Sequence, residues 1–286
     1  MKKYIFMAVA GMLALSSCSN DDNDMTQEKN APRQMTFTAG FGDDGAQTRA
    51  TLSGKSVSFD ANDQISILSA NNTNTAFTTM AGGASATFTG EAVDDSKFYA
   101  VYPYTDGLTL SGDVITGVVI PTSQWNSGWN LDNTAYSGWD PKAPVAYATT
   151  TNGDLQFHNA CAILKVTIGG GYDTNVTLTI SANQPLAGTF SLDTSTGTLT
   201  ATAGSNTVSV GNYDYGYGYD HCINQDEYTD KTIYVAIAPG TYTGFNLNLC
   251  NVGGGNITVK KSGGATFAAG KIYDLGTHSL QNEEDE

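Results

Sequence analysis

Basic residues are scarce in this chain. Its 286 residues include 13 Lys and Arg against 28 Asp and Glu, a net charge of −15. An acidic surface repels phosphate backbones, so nucleic acid is not an expected partner. Histidine occurs three times, as His158, His221 and His278, and none sits in a metal-protease helix motif. No cysteines have zinc-site spacing, so neither a metal nor a cofactor is expected. A nucleophile-elbow serine, a phosphate loop and a dinucleotide fingerprint are missing too. Acid pairs such as Asp94-Asp95 read as surface loop residues rather than glycosidase carboxylates. The expectation is that this protein is not an enzyme. The apolar run Tyr4–Leu15 has 12 residues, too few for a membrane-spanning helix. No amphipathic helix stands out in the rest of the chain.

What the N-terminus does contain is a signal peptide pattern over residues 1–17. Lys2 and Lys3 precede the apolar run, which ends in Leu15-Ser16-Ser17-Cys18. A leucine, two small residues and a cysteine form the lipobox of a bacterial lipoprotein precursor. That pattern implies cleavage before Cys18, with lipid on its sulfur and on the new amino terminus. Several acyl chains on one residue exceed what stable anchoring requires. The plainer reading is an ordinary signal peptide with a chance cysteine. After Cys18 comes Ser19-Asn20-Asp21-Asp22-Asn23-Asp24. No aspartate directly follows the cysteine, so inner-membrane retention is not indicated. The acidic run resembles a surface-export signal of lipoproteins in some anaerobic Gram-negative bacteria. Residues 18–33 read as an acidic, disordered tether, and the expected location is the outer membrane at the cell surface.

Beyond the tether, short alternating runs are separated by turn residues, and the 32 glycines fall largely between them. This is the pattern of an all-β protein. Met35, Phe37, Ala39 and Phe41 share one face of a half-buried first strand. Further strands are expected near 56–59, 64–69, 85–89, 97–102, 113–120, 144–149, 154–168, 175–181, 187–192, 197–202, 206–210, 231–238, 244–250, 256–260 and 271–275. Within 154–168 the apolar phase shifts, because Leu155 and Phe157 have one parity and Ala162, Leu164, Val166 and Ile168 the other. A bulge near His158 to Cys161 is the expected cause. The strand count exceeds one seven-stranded sandwich. Two β-sandwich domains in tandem are therefore expected, over 34–152 and 153–280, with an acidic tail at 281–286.

Apart from Cys18, the cysteines are Cys161, Cys222 and Cys250. A Cys222–Cys250 disulfide is one reading, with Cys161 a buried free thiol. Parity sets Cys250 on the face opposite Phe245, Leu247 and Leu249. Two aromatic clusters are candidate ligand contacts. One is the loop with Trp125, Trp129 and Trp139, and the other is Tyr213, Tyr215, Tyr217 and Tyr219. Flat rings beside Asp and Asn can stack on sugars, and Tyr-Gly loops make adaptable surfaces. The plainer reading is that the tryptophans plug one end of a sandwich and the tyrosines decorate a loop.

Several segments together resemble the fimbrillin-like lipoprotein family. They are Thr48-Arg49-Ala50-Thr51-Leu52 followed by Phe59-Asp60-Ala61-Asn62-Asp63-Gln64-Ile65-Ser66-Ile67, Phe98-Tyr99-Ala100-Val101-Tyr102-Pro103-Tyr104, Leu155 to Val166, Pro185-Leu186-Ala187-Gly188-Thr189-Phe190, Ala238-Pro239-Gly240-Thr241-Tyr242 and Gly270-Lys271-Ile272-Tyr273-Asp274-Leu275. The resemblance implies two transthyretin-like sandwiches and a surface fimbria built by strand exchange. It implies that an arginine-specific protease cuts after Arg49, so that Ala50 becomes the new amino terminus and the Met35–Phe41 strand is removed. The vacated groove then takes a strand from another subunit, as in donor-strand complementation. Arg33 is the alternative site, but a cut there leaves the strand attached. After Leu275, Leu280 is the only large apolar residue, which speaks against a donor strand of a repeating stalk subunit and leaves room for a tip or accessory role. The implied partners are other fimbrial subunits, a host or bacterial surface protein or glycan, and the outer membrane through lipid on Cys18. The competing reading is a monomeric surface glycan-binding lipoprotein that keeps its lipid and its first strand.

Overall fold

The computed structural model describes residues 31–42, 58–124, 143–169, 174–211, 223–225, 230–251, 256–260 and 264–278. The described segments are strands joined by turns, and no helix among them is long and apolar enough to cross a membrane. In chain order the first strands are β1 (Arg33–Phe41), β2 (Gln64–Ser69), β3 (Asn72–Thr79), β4 (Ser85–Ala92) and β5 (Phe98–Tyr102). Next come β6 (Thr109–Ser111), β7 (Val114–Ile120), β8 (Ala146–Thr150), β9 (Asp154–Asn159), β10 (Ala162–Ile168) and β11 (Thr174–Ser181). Then follow β12 (Ala187–Asp193), β13 (Thr198–Ser205), β14 (Thr207–Val210), β15 (Ile223–Gln225) and β16 (Lys231–Ile237). The last are β17 (Gly240–Tyr242), β18 (Asn246–Asn251), β19 (Asn256–Lys260), β20 (Ala265–Phe267) and β21 (Ile272–His278). β1 begins at Arg33, so the strand takes in the last residue of the expected tether.

Seven strands close on themselves in the order β1-β4-β3-β2-β5-β8-β9, and the ring is completed by parallel pairing of β9 with β1. Inside it lies a core of Phe37, Phe59, Ile65, Ile67, Phe77, Phe88, Phe98, Leu155 and Phe157. The larger core lies outside the ring, among the sheets β16-β10-β21, β14-β11-β18-β19 and β13-β12-β7-β6. β5 serves both cores. Its Phe98, Ala100 and Tyr102 face into the ring, and Tyr99 and Val101 face the larger core. Every residue of β5 is buried, which is why Phe98-Tyr99-Ala100-Val101-Tyr102 reads as a continuous apolar run rather than an alternating one.

Two sequence expectations need correction. The phase shift between Leu155 and Ala162 is not a bulge within one strand. β9 ends at Asn159 and β10 starts at Ala162, with a break between them. There the Asn159 side-chain oxygen accepts from Cys161 N–H, and Ala160 N–H donates to Val145 C=O. Leu155 and Phe157 fill the ring, whereas Leu164, Val166 and Ile168 fill the larger core. The side chains change phase because the chain passes from one core to the other. The sheets likewise do not divide at residue 152. β9 pairs with β8 and β1 in the ring, and β7 pairs along β12 from Val114↔Asp193 to Ile120↔Gly188. The β6–β7 hairpin therefore belongs with the later strands, and the division is not a simple tandem one.

A small polar group joins the two parts. Asp113, in the β6–β7 turn, accepts from Lys97 Nζ at 2.6 Å and from Tyr99 OH at 2.6 Å. Its backbone C=O accepts from the Thr194 N–H and hydroxyl, each at 2.9 Å. The Lys97 ammonium and the Tyr99 hydroxyl hold the Asp113 carboxyl below its usual pKa.

Candidate functional site: the strand that closes the ring

β1 is short, alternating and amphipathic, and its sequence fits one slot. Phe37 and Ala39 are buried, Met35 and Phe41 are half-buried, and Gln34, Thr36 and Thr38 face solvent. It pairs antiparallel with β4 at eight positions, from Arg33↔Ala92 to Gly40↔Ser85. It pairs parallel with β9 at four, from Thr38↔Asp154 to Phe41↔Phe157. Thr38 N–H donates to Gly153 C=O at 3.0 Å, and Gly42 N–H donates to Phe157 C=O at 3.0 Å. Taking β1 out would leave β4 and β9 as two facing edges with unpaired backbone groups.

The floor of that slot is aromatic. The Phe37 ring meets Phe77 and Phe98 edge-on, at centroid distances of 5.3 and 5.1 Å. Phe41 stacks on Phe59 at 4.9 Å and lies 6.0 Å from Phe157. Across the β1–β4 ladder, Phe37 faces Phe88, Ala39 faces Ala86 and Met35 faces Gly90. Gly90 has to be glycine, because a Cβ there would lie 2.7 Å from the Phe77 ring. At the far end Tyr102 OH donates to Asp63 Oδ2 at 2.8 Å, and burial together with the Asp63 charge raises the phenol pKa. Each large side chain buried here contributes about 1.5–3 kcal/mol. At the N-terminal end, Arg33 Nη2 and Asp94 Oδ2 are 2.8 Å apart, an exposed pair of small energetic weight.

Met35, Phe37, Ala39 and Phe41 are thus brought together on one trough. Several other sites read from the sequence fall outside the described residues. These are Cys18, Arg49, Ala50, Trp125, Trp129, Trp139, Tyr213, Tyr215, Tyr217, Tyr219 and Cys222. In sequence, Arg49 lies between Phe41 and Phe59. Cys250 is exposed on β18 and Leu247 and Leu249 are buried. Cys161 is a buried free thiol. Burial pushes its pKa up to about 12, against a hydrogen bond from Val145 N–H at 3.2 Å. Among the described residues, no three His, Cys, Asp or Glu side chains converge as metal ligands do. The sequence reading missed the acceptor side of the slot: Phe59, Phe77, Phe88 and Gly90. Phe77 and Phe88 each stand in a threonine-rich segment, and which rows face β1 depends on pairing partners that no local pattern encodes.

No curated protein matches the chain. Among solved structures, one provisionally described as a cell adhesion protein, from Bacteroides ovatus, superposes with a TM-score of 0.53 at 13% identity. The match covers 88% of this chain and 94% of that one. Another of the same description, from Bacteroides uniformis, gives a TM-score of 0.50 at 19% identity, covering 86% and 93%. Identities this low establish a shared fold and nothing finer. The sequence itself matches the fimbrillin-like family over residues 48–284, a span that starts after β1 and takes in every later strand from β2 to β21. The chain belongs to the fimbrillin-like family.

Proposed function

We propose that this protein is a subunit of a bacterial surface fimbria, with a role in adhesion and no enzymatic activity. It is exported as a lipoprotein through Cys18 to the outer membrane, and an arginine-specific protease cuts it between Arg49 and Ala50. Another subunit then donates a strand to the slot that β1 fills. In this reading the ring and the sheets of the larger core answer to the two transthyretin-like units that the family resemblance implies. The observation that carries the proposal is the seating of β1. It completes the ring between β4 and β9, its apolar row fills an aromatic trough, and the chain leads from it to Phe59 through the segment that contains Arg49. An incoming strand would restore both the backbone bonds and the packing. Arg33 is the poorer site, because it is already in the β4 ladder opposite Ala92.

The test is mass spectrometry of the N-terminus after treating the purified lipoprotein with an arginine-specific protease, followed by a non-boiled gel. A chain starting at Ala50 with a ladder of oligomers supports strand exchange in a stalk. The same start without a ladder supports a tip or accessory subunit. An intact chain that begins at Cys18 and runs as a monomer overturns the proposal in favour of the glycan-binding lipoprotein.

A further inference from the structure

Arginine is confined to two positions in the whole chain, Arg33 and Arg49, and every other basic residue is lysine. Arg33 is the first residue of β1, and Arg49 follows its last residue, Phe41, in sequence. An arginine-specific protease therefore meets one peptide bond at each end of the same strand and none in the remainder of the fold. The consequences of cutting differ. A cut after Arg33 separates the N-terminal segment and leaves β1 joined to the ring. A cut after Arg49 leaves β1 joined only to the N-terminal segment.

We infer that cleavage after Arg49 does not release β1: the product is a closed, two-piece ring, and β1 leaves only when another strand displaces it. The inference rests on the proposed processing at Arg49. In that step water adds across the Arg49–Ala50 peptide bond, giving a carboxylate on Arg49 and an ammonium on Ala50. The contacts that seat β1 among the described residues are made by Arg33–Gly42, outside the broken bond. The eight positions paired with β4 and the four paired with β9 stay intact. So do the burial of Phe37 and Ala39 and the stacking of Phe41 on Phe59. The nick thus removes the covalent link and keeps the noncovalent one. The ladder is also uneven. β9 pairs only with Thr38–Phe41, so the Arg33–Phe37 half is held by β4 alone among the described strands. Displacement therefore starts from the Arg33 end.

This gives processing and assembly an order. Cys18 and β1 are on the same piece after the cut. The ring stays tethered to the membrane until strand exchange ejects β1, so leaving the anchor and joining a partner are one event.

The experiment uses the chain from residue 18 with Cys18→Ser and Arg49→Gln, with residues 52–56 replaced by the recognition site of a protease of unrelated specificity. After complete cutting, native size-exclusion chromatography is compared with separation in denaturant. We expect the two pieces to co-elute natively and part only in denaturant. Adding excess synthetic peptide spanning residues 33–42 should eject the β1 piece, whereas a scrambled peptide should not. Phe37→Ala should raise the rate of spontaneous loss on the order of a hundredfold. Met35→Ala, at a half-buried position, is the milder variant if Phe37→Ala does not fold. Immediate separation of the pieces without peptide overturns the inference, as does ejection by the scrambled peptide. A parallel digest of the chain with Arg49 intact, using an arginine-specific protease, separates the two claims. No cut at Arg49 alongside retention in the engineered chain sinks the processing reading alone, and a cut alongside immediate release sinks only the inference.

Discussion

Phe41, the last residue of β1, stacks on Phe59 with ring centroids 4.9 Å apart and planes inclined by 23°. Phe59 also packs edge-on against Phe88 and Tyr102, at 5.1 and 5.3 Å. Phe59 is fully buried and Phe41 half-buried. Phe59→Ala should therefore destabilise the ring by about 3–5 kcal/mol. Phe41→Ala should cost roughly half as much, in proportion to the area it buries. Urea titration of both variants checks the ranking, and equal losses would contradict it.

Gln124 acts in place of a strand neighbour for β16. Its Nε2 donates to Ala236 C=O at 2.6 Å, and its Oε1 accepts from Ala236 N–H at 2.8 Å. The side chain is buried. Gln124→Ala leaves two buried backbone groups unpaired, each costing about 1–3 kcal/mol. Gln124→Glu should be no better, because a carboxylate offers no donor to Ala236 C=O. Comparing urea midpoints of the two variants tests this.

Cys161 is expected to resist a thiol reagent in the native protein and to react on unfolding. Its thiol is fully buried and its pKa is pushed up to about 12 by that burial. A raised pKa means that the native state holds its proton longer than the unfolded chain. The associated stability is complete below the ordinary thiol value of 9.0 and declines as pH rises toward 12. Mass-spectrometric mapping of labelled peptides with and without denaturant checks the first statement. A urea series above pH 9.0, with Cys161→Ala as the reference, checks the second.

Acid should act in the opposite sense. Asp113 is held below the usual carboxylate value of 3.8 by Lys97 and then Tyr99, and Asp274 is held below it by Lys165 first. A depressed carboxylate contributes stability above its unfolded pKa and loses it as pH falls through the folded value. Stability should therefore drop below 3.8, and Asp113→Asn should make that drop shallower. Urea midpoints measured across this acid range decide it, and an unchanged slope in the variant would remove Asp113 from the account.

Much of the local structure was legible. Met35-Thr36-Phe37-Thr38-Ala39-Gly40-Phe41 alternates, and β1 turned the expected residues inward. β3 was not legible. Asn72-Thr73-Asn74-Thr75 has no apolar alternation, yet it forms a strand because β2 pairs along it, while β4 joins β3 only at Thr78 and Thr79. Its polar side chains are used locally. Asn72 bonds Val93 N–H and C=O through both ends of its amide, and Asn74 donates to Thr105 C=O. Within the candidate site, the donor-side row could be read from β1 and the acceptor-side row could not. Phe59, Phe77 and Phe88 come from three separate segments.

The sequence by itself determined that this chain folds as strands, which face of each alternating strand is apolar, and which family it resembles. These follow from the two-residue period of an extended backbone, a local property. The tertiary structure alone decided that β9 returns in parallel to β1 and closes a ring. It also decided that β7 leaves the early strands to pair with β12, and that the chain passes between cores at Ala160. An apolar row specifies that it must be covered but not by which other row. That choice depends on how all the strands can bury their faces at once.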